Sequence, residues 1–283
     1  MLTTDNKGNA LIQFRLFDTK NNQTLQHVTY EITLRKGTGI SNQKPLLRDF
    51  FHVHDGLLTL KVLPSNGTLT INGDREPFQN AWVADPGGSI NIKGPVLLEG
   101  GLYNFEINIF GIDNDRNIFI PENAPKFNSS LSVGDVYYLN ITEKNNKKFN
   151  LSIISYYDKI RDLKFDPANN KFSWSMPFDW NPSKIKKVNI FVHEEISIPR
   201  SAEFSVKRLY PGTVNGIDIS KSVMIDTTKS EKDVIHFMLS KDRLIQLSEQ
   251  ISKSGQAVSS VNGLMKFTLQ PGGNTTAPAA GRP

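Results

Sequence analysis

No cysteine occurs among the 283 residues. That single absence removes a disulfide scaffold, a thiolate metal site and a cysteine nucleophile, and it leaves the redox compartment open. No run approaches the roughly 18 consecutive apolar residues that a membrane span needs, so this chain is not expected to cross a bilayer. Helical periodicity is missing over roughly the first 230 residues, which argues against an α/β fold. There is no G-x-S-x-G elbow and no Walker loop, and "GDREP" and "DPGG" lack the helix that a phosphate cradle requires. "HEE" (His193 to Glu195) has no second histidine at the spacing of H-E-x-x-H. A strand there sends Glu194 and Glu195 to opposite faces, the wrong arrangement for an acid and a base sharing one bond. These absences together argue for a protein that is not an enzyme.

What the chain does have is period-two alternation. Leu11, Gln13, Arg15 and Phe17 oppose Ile12, Phe14 and Leu16, and "VTYEITL" sets Val28, Tyr30, Ile32 and Leu34 against Thr29, Glu31 and Thr33. In "GLYNFEINIFG", Tyr103, Phe105, Ile107 and Ile109 share a face, and "PSNG", "INGD" and "DPGG" supply turn residues between strands. This pattern predicts an all-β fold of antiparallel β-sandwich modules of immunoglobulin-like type. Tyr103, just after a turn at the start of a long strand, is the candidate for a tyrosine corner, its hydroxyl bonding back to the turn.

A length of 283 residues suits two such modules better than one. The proline- and asparagine-rich "FIPENAPKFNSS" reads as the boundary, giving a first module over 1–122 and a second over 123–270. One helix is expected at about 240–254, with Ser240 as N-cap, Leu244, Leu247 and Ile251 on one face and Gly255 as the stop. The tail, 271–283, is too poor in apolar residues to fold and is expected to be disordered. The opening "MLTTDNKGNALIQF" enters a strand pattern almost at once and shows no signal peptide, which points to a truncated start or a mature form carrying an added Met1.

The net charge of +5 is unevenly shared, with 11 basic against 13 acidic residues up to Glu122 and 22 against 15 beyond it. "KNNKK" (Lys144 to Lys148) and "KIKK" (Lys184 to Lys187) lack the interleaved aromatics of a nucleic-acid reader, so they read as solvated loops and no nucleic-acid partner is expected.

Candidate sites are few. His52 and His54, in "HVH", fall on one face of a strand, where two imidazoles share an ion such as Cu(II), Zn(II) or Ni(II); His27, His193 and His236 stand at no diagnostic spacing. Asp113, Asp115 and Asn117 occupy positions one, three and five of a calcium loop, but Ile118 replaces the glycine, Ala124 the glutamate, and Arg116 brings the wrong charge. Six N-x-S/T sequons, at Asn22, Asn66, Asn128, Asn140, Asn150 and Asn274, favour an extracellular chain carrying glycans. In "KFSWSMPFDW", Phe172, Trp174 and Met176 alternate with serines and belong to a core. Trp180, between Asp179 and Asn181, is the aromatic whose setting fits a sugar-stacking platform.

The phrases "ISYYDKIRDLKFDPANNKFSWSMPFDW", "VHEEISIPRS" and "TVNG", with "ADPGGSINIKGPVLLEGGLYNFEINIFGIDNDRNIF" upstream, resemble a segment of uncharacterised secreted β-sandwich proteins of ammonia-oxidising archaea (Thaumarchaeota). The resemblance spans about Leu11 to Leu269 and implies an exported cell-envelope protein, sometimes tethered at its C-terminus. It brings no catalytic or binding residues with it. The expectation that follows is a non-enzymatic structural or interaction module of the cell surface, contacting an envelope protein or a glycan and needing no cofactor. Two other readings stand beside it. One is an extracytoplasmic copper-binding protein using His52 and His54, attractive because ammonia oxidisers rely on copper enzymes outside the membrane; the other is a carbohydrate-binding or carbohydrate-active protein built around Trp180.

Overall fold

The structure, a computed structural model, describes residues 3–4, 8–37, 44–114, 116–142, 146–169, 171–188, 190–201, 212–253 and 263–269. It is mostly β, as the alternation predicts. The chain divides into two compact units, Met1–Val133 and Gly134–Pro283. This division falls later than Glu122, because the strand after "FIPENAP", Lys126–Val133, pairs residue by residue with Gly101–Gly111.

In the first unit the strands are β1 (Thr3–Thr4), β2 (Ala10–Arg15), β3 (Val28–Lys36), β4 (Leu47–Val53), β5 (Leu57–Pro64), β6 (Thr70–Asn72), β7 (Trp82–Val83), β8 (Ser89–Gly94), β9 (Gly101–Gly111) and β10 (Lys126–Val133). They form two five-stranded sheets, ordered β1-β2-β5-β8-β6 and β10-β9-β3-β4-β7. One buried cluster draws Phe14, Leu60 and Ile92 from the first sheet and Ile32, Phe51 and Phe105 from the second, so the sheets face each other across a shared core. The pairing is not purely antiparallel. β5 runs parallel to β8 and β4 parallel to β7, which the long connection after Pro64 permits, since parallel neighbours need a crossover of about a dozen residues or more. Tyr103 donates its hydroxyl to the Glu99 carbonyl at 2.5 Å, closing back on the preceding turn as expected.

The second unit contains β11 (Asp135–Thr142), β12 (Lys148–Ser155), β13 (Arg161–Asp166), β14 (Lys171–Pro177), α1 (Pro182–Lys187), β15 (Val192–Pro199), β16 (Gly212–Val214), β17 (Ile217–Asp218), β18 (Val223–Asp226), β19 (Lys232–Leu239), α2 (Lys241–Lys253) and β20 (Leu264–Leu269), with a short 3-10 turn at Ser220–Ser222. Its sheets are β11-β12-β15-β19-β18 and β13-β14-β20-β16-β17. Phe172, Trp174 and Met176 are buried as read from their alternation. Trp174 lies flat on Phe267 of β20, with centroids 5.0 Å apart, and meets Phe237 of β19 edge-on, so its indole joins both sheets.

Helix α2 matches its signals: Ser240 Oγ accepts from the Arg243 amide, and Leu244, Leu247 and Ile251 are buried. Gly255 lies outside the described residues, as do Lys144 and the tail 271–283. A second helix corrects the expectation of one. In α1 the Asn181 side chain accepts from the Ser183 and Lys184 amides, Pro182 stands at the helix start, and Ile185 is buried. Six residues are too few to display a period, yet Asn-Pro is an N-cap and first-turn pair. Among the described residues no helix is long and apolar enough to cross a membrane.

Candidate metal centre

The histidines of the first unit meet at one end of the β3/β4 ladder. Its register pairs Thr29 with His52 and Val28 with Val53. One step further, the His27 amide donates to the His54 carbonyl at 2.8 Å. His27 takes a positive φ of 48° there, a region that histidine visits more readily than most side chains. As a result Nδ1 of His27 and Nδ1 of His54 stand 3.3 Å apart, and one nitrogen from each of His27, His52 and His54 lies within 4.8 Å of the others.

The burial of these rings is graded. His52 is buried, His27 half-buried and His54 exposed, which opens one side of the cluster to solvent. Thr29 Oγ1 lies 2.8 Å from His52 Nδ1, a contact that fixes the orientation of the ring. A hydrogen bond on the far nitrogen is how metal-binding imidazoles are commonly oriented. The two histidines singled out from sequence are thus brought together, and His27, which had no diagnostic spacing, joins them as a third.

The other two histidines also converge, in the second unit. The alternation of β15 turns His193 and Glu195 outward and Glu194 inward, and the β15/β19 register places His236 directly opposite Glu195. His193, Glu195 and His236 are all half-buried and within reach of one ion. Burial holds the His193 imidazole below its ordinary pKa, with the Glu195 carboxylate pulling upward and His236 adding to the lowering.

Glu194 and Glu195 do face opposite ways. Glu194 is fully buried, its Oε1 2.8 Å from Ser155 Oγ, and burial pushes its carboxyl well above the usual range. The Ser155 hydroxyl also lies 2.7 Å from the Asp158 carbonyl. With one proton to give, it serves both contacts only when Glu194 keeps its own proton, and burial favours that same neutral form.

The remaining candidates fare differently. Trp180 is 1% exposed and its ring N–H donates to the Leu264 carbonyl at 2.9 Å. It is a packed core residue and not a sugar-stacking surface, because the loop after Pro177 folds inward and Phe178 packs against it. Asp113 and Asn117 are exposed in a turn, while Asp115 lies outside the described residues. Five sequon asparagines, Asn22, Asn66, Asn128, Asn140 and Asn150, are exposed; Asn274 lies outside the described residues.

Fold and site together define a mostly β protein whose five histidines gather in two clusters, one in each unit. Compared with protein-family profiles, curated sequences and solved structures, the chain matches none.

Proposed function

We propose that this chain is a non-enzymatic protein of the extracellular surface or cell envelope, built of two immunoglobulin-like modules, whose first module holds a divalent transition-metal ion on His27, His52 and His54. The convergence of one ring nitrogen from each of these histidines carries the reading. An all-imidazole set suits Cu(II), Ni(II) and Zn(II), and the order of first-row affinities makes Cu(II) the tightest of them. Support for a surface setting comes from the exposure of the five described sequon asparagines and from the resemblance to secreted archaeal proteins. The facing sheets and the Tyr103 hydroxyl bond support immunoglobulin-like modules.

Titration of the full chain with Cu(II) against a competing chelator tests the metal reading. His54→Ala removes an exposed ring without disturbing the core, and it is expected to weaken one equivalent of Cu(II) by at least about tenfold, as is His27→Ala. Variants that titrate like the parent chain would sink the proposal.

A further inference from the structure

The outer face of the second unit holds a cluster that no single stretch of sequence displays. Residues two apart on a strand share a face, and directly opposed residues on paired strands share it too. His193 and Glu195 satisfy the first condition on β15, and His236 satisfies the second on β19.

The contacts are close and nearly equal. His193 Nε2 lies 3.1 Å from His236 Nδ1 and 3.4 Å from Glu195 Oε1, and His236 Nδ1 lies 3.5 Å from that same oxygen. The circle through three atoms so spaced has a radius of about 1.9 Å, which is the value for one face of a tetrahedron with bonds of about 2.05 Å, in the range of zinc bonded to nitrogen and carboxylate oxygen. An ion set just above that triangle reaches all three atoms at ordinary bond lengths.

Protons satisfy the triangle less well. If both facing nitrogens carry hydrogen, each can donate to Glu195, but the 3.1 Å contact then opposes two N–H groups. If only one does, the other nitrogen turns a lone pair toward either a carboxylate oxygen or an imidazole that is already donating elsewhere. With Glu195 ionised and both imidazoles neutral, every arrangement leaves at least one contact between like partners, whereas a cation is attracted by all three.

The surroundings hold the ligands in place. Tyr156 stacks on the His193 ring, with centroids 4.8 Å apart and planes 13° apart. It is a positioning residue for His193. The three side chains stay between 16% and 24% exposed, so solvent reaches the side of the triangle away from the sheet.

We propose that His193, Glu195 and His236 form a second metal site, taking a divalent first-row ion of the Zn(II) type in tetrahedral coordination with the fourth position open to water or an added ligand. It is independent of the histidine cluster in the first unit.

The test uses the full chain carrying His54→Ala, so that the first cluster is weakened and the two sites are read apart. Calorimetry with Zn(II) is expected to show one equivalent bound, and Co(II) is expected to develop the intense visible bands of a four-coordinate ion. Glu195→Gln, nearly the same shape as the parent side chain, and His236→Asn should each lower Zn(II) affinity at least tenfold, with circular dichroism verifying the fold. Tyr156→Leu, which removes the stacked ring, should lower it severalfold, and Tyr156→Phe, which keeps the ring, should restore the parental affinity. Absence of Zn(II) binding in the His54→Ala chain, a Co(II) spectrum that stays that of the six-coordinate aqueous ion, or parental affinity in both Glu195→Gln and His236→Asn overturns the assignment. Loss of the first-unit Cu(II) site with this one intact, or the reverse, leaves the surviving site standing on its own.

Discussion

Trp174→Ala is expected to destabilise the second unit by about 3–5 kcal/mol, the range for removing a large aromatic from a core. The indole is 2% exposed, lies parallel to Phe267 and stands edge-on to Phe237. Its removal opens a cavity bounded by strands of both sheets, and neither sheet can close it without shifting its ladder. The β14/β20 register pairs Trp174 with Phe267 and Met176 with Met265, so a collapse would have to move several paired residues at once. Trp174→Phe should cost less than half as much, because a ring remains in the stack and the buried indole Nε1, which has no hydrogen-bond partner among the described residues, is removed. Hydrogen exchange on the full chain is the measurement: protection should fall in β14, β19 and β20 while β3 and β9 keep theirs. A loss below about 1 kcal/mol would mean that this tryptophan is not the joint between the sheets.

The same stretch shows what alternation conveys. Phe172, Trp174 and Met176 were assignable to a core from spacing alone, and so were Val28, Tyr30, Ile32 and Leu34. Alternation describes one strand at a time, however, and says nothing about its neighbours. Thr29 and Thr33 look like the solvent face of β3, yet both are buried, because β3 is central in its sheet and these short side chains sit between larger cross-strand partners, His52 beside Thr29 and Arg48 and Glu106 beside Thr33. The parallel β5/β8 pair has no local signature at all. Trp180 departs from its sequence setting for a related reason: its polar neighbours, Asp179 and Asn181, point to exposure, whereas the turn of chain into α1 carries the ring inward.

The metal centres follow the same logic. His52 and His54 stand out in sequence because they are two residues apart, but only His52 lies in β4, and His54 falls in the turn that follows Val53. His27 became part of the site through the β3/β4 register, and His236 met Glu195 through the β15/β19 register. A hairpin drawn between "VTYEITL" and "LRDFFHV" that paired Val28 with Val53 would have placed His27 beside His54. Register depends on which loop length and which buried face win in the folded unit, so the ligand sets are properties of pairing and not of spacing.

Gly56→Ala is expected to damage the first unit and its histidine cluster together. Gly56 follows His54 and Asp55 in the turn that carries the chain from β4 in one sheet to β5 in the other. Its φ is +72°, and a Cβ there would come within 1.7 Å of the Leu25 carbonyl oxygen and 2.7 Å of Thr24 Cγ2. Backbone cannot rotate away as a side-chain end can, so either the turn or the Leu25 segment must move. Leu25 is two residues from His27, and the Tyr30 hydroxyl donates to the Gly56 carbonyl at 3.1 Å; displacement on either side therefore reaches the ligands. The expected cost is about 3 kcal/mol or more, above the strain of a left-handed residue alone, with a weaker Cu(II) equivalent in the same titration that tests His54→Ala. Gly37→Ala separates the two causes: φ there is +83° but a Cβ meets nothing within 4 Å among the described residues, so only the dihedral cost of about 1–2 kcal/mol applies and the metal affinity should be untouched. If the two alanine variants melt at the same temperature and bind Cu(II) alike, the close approach of the turn to Leu25 does not hold the cluster together.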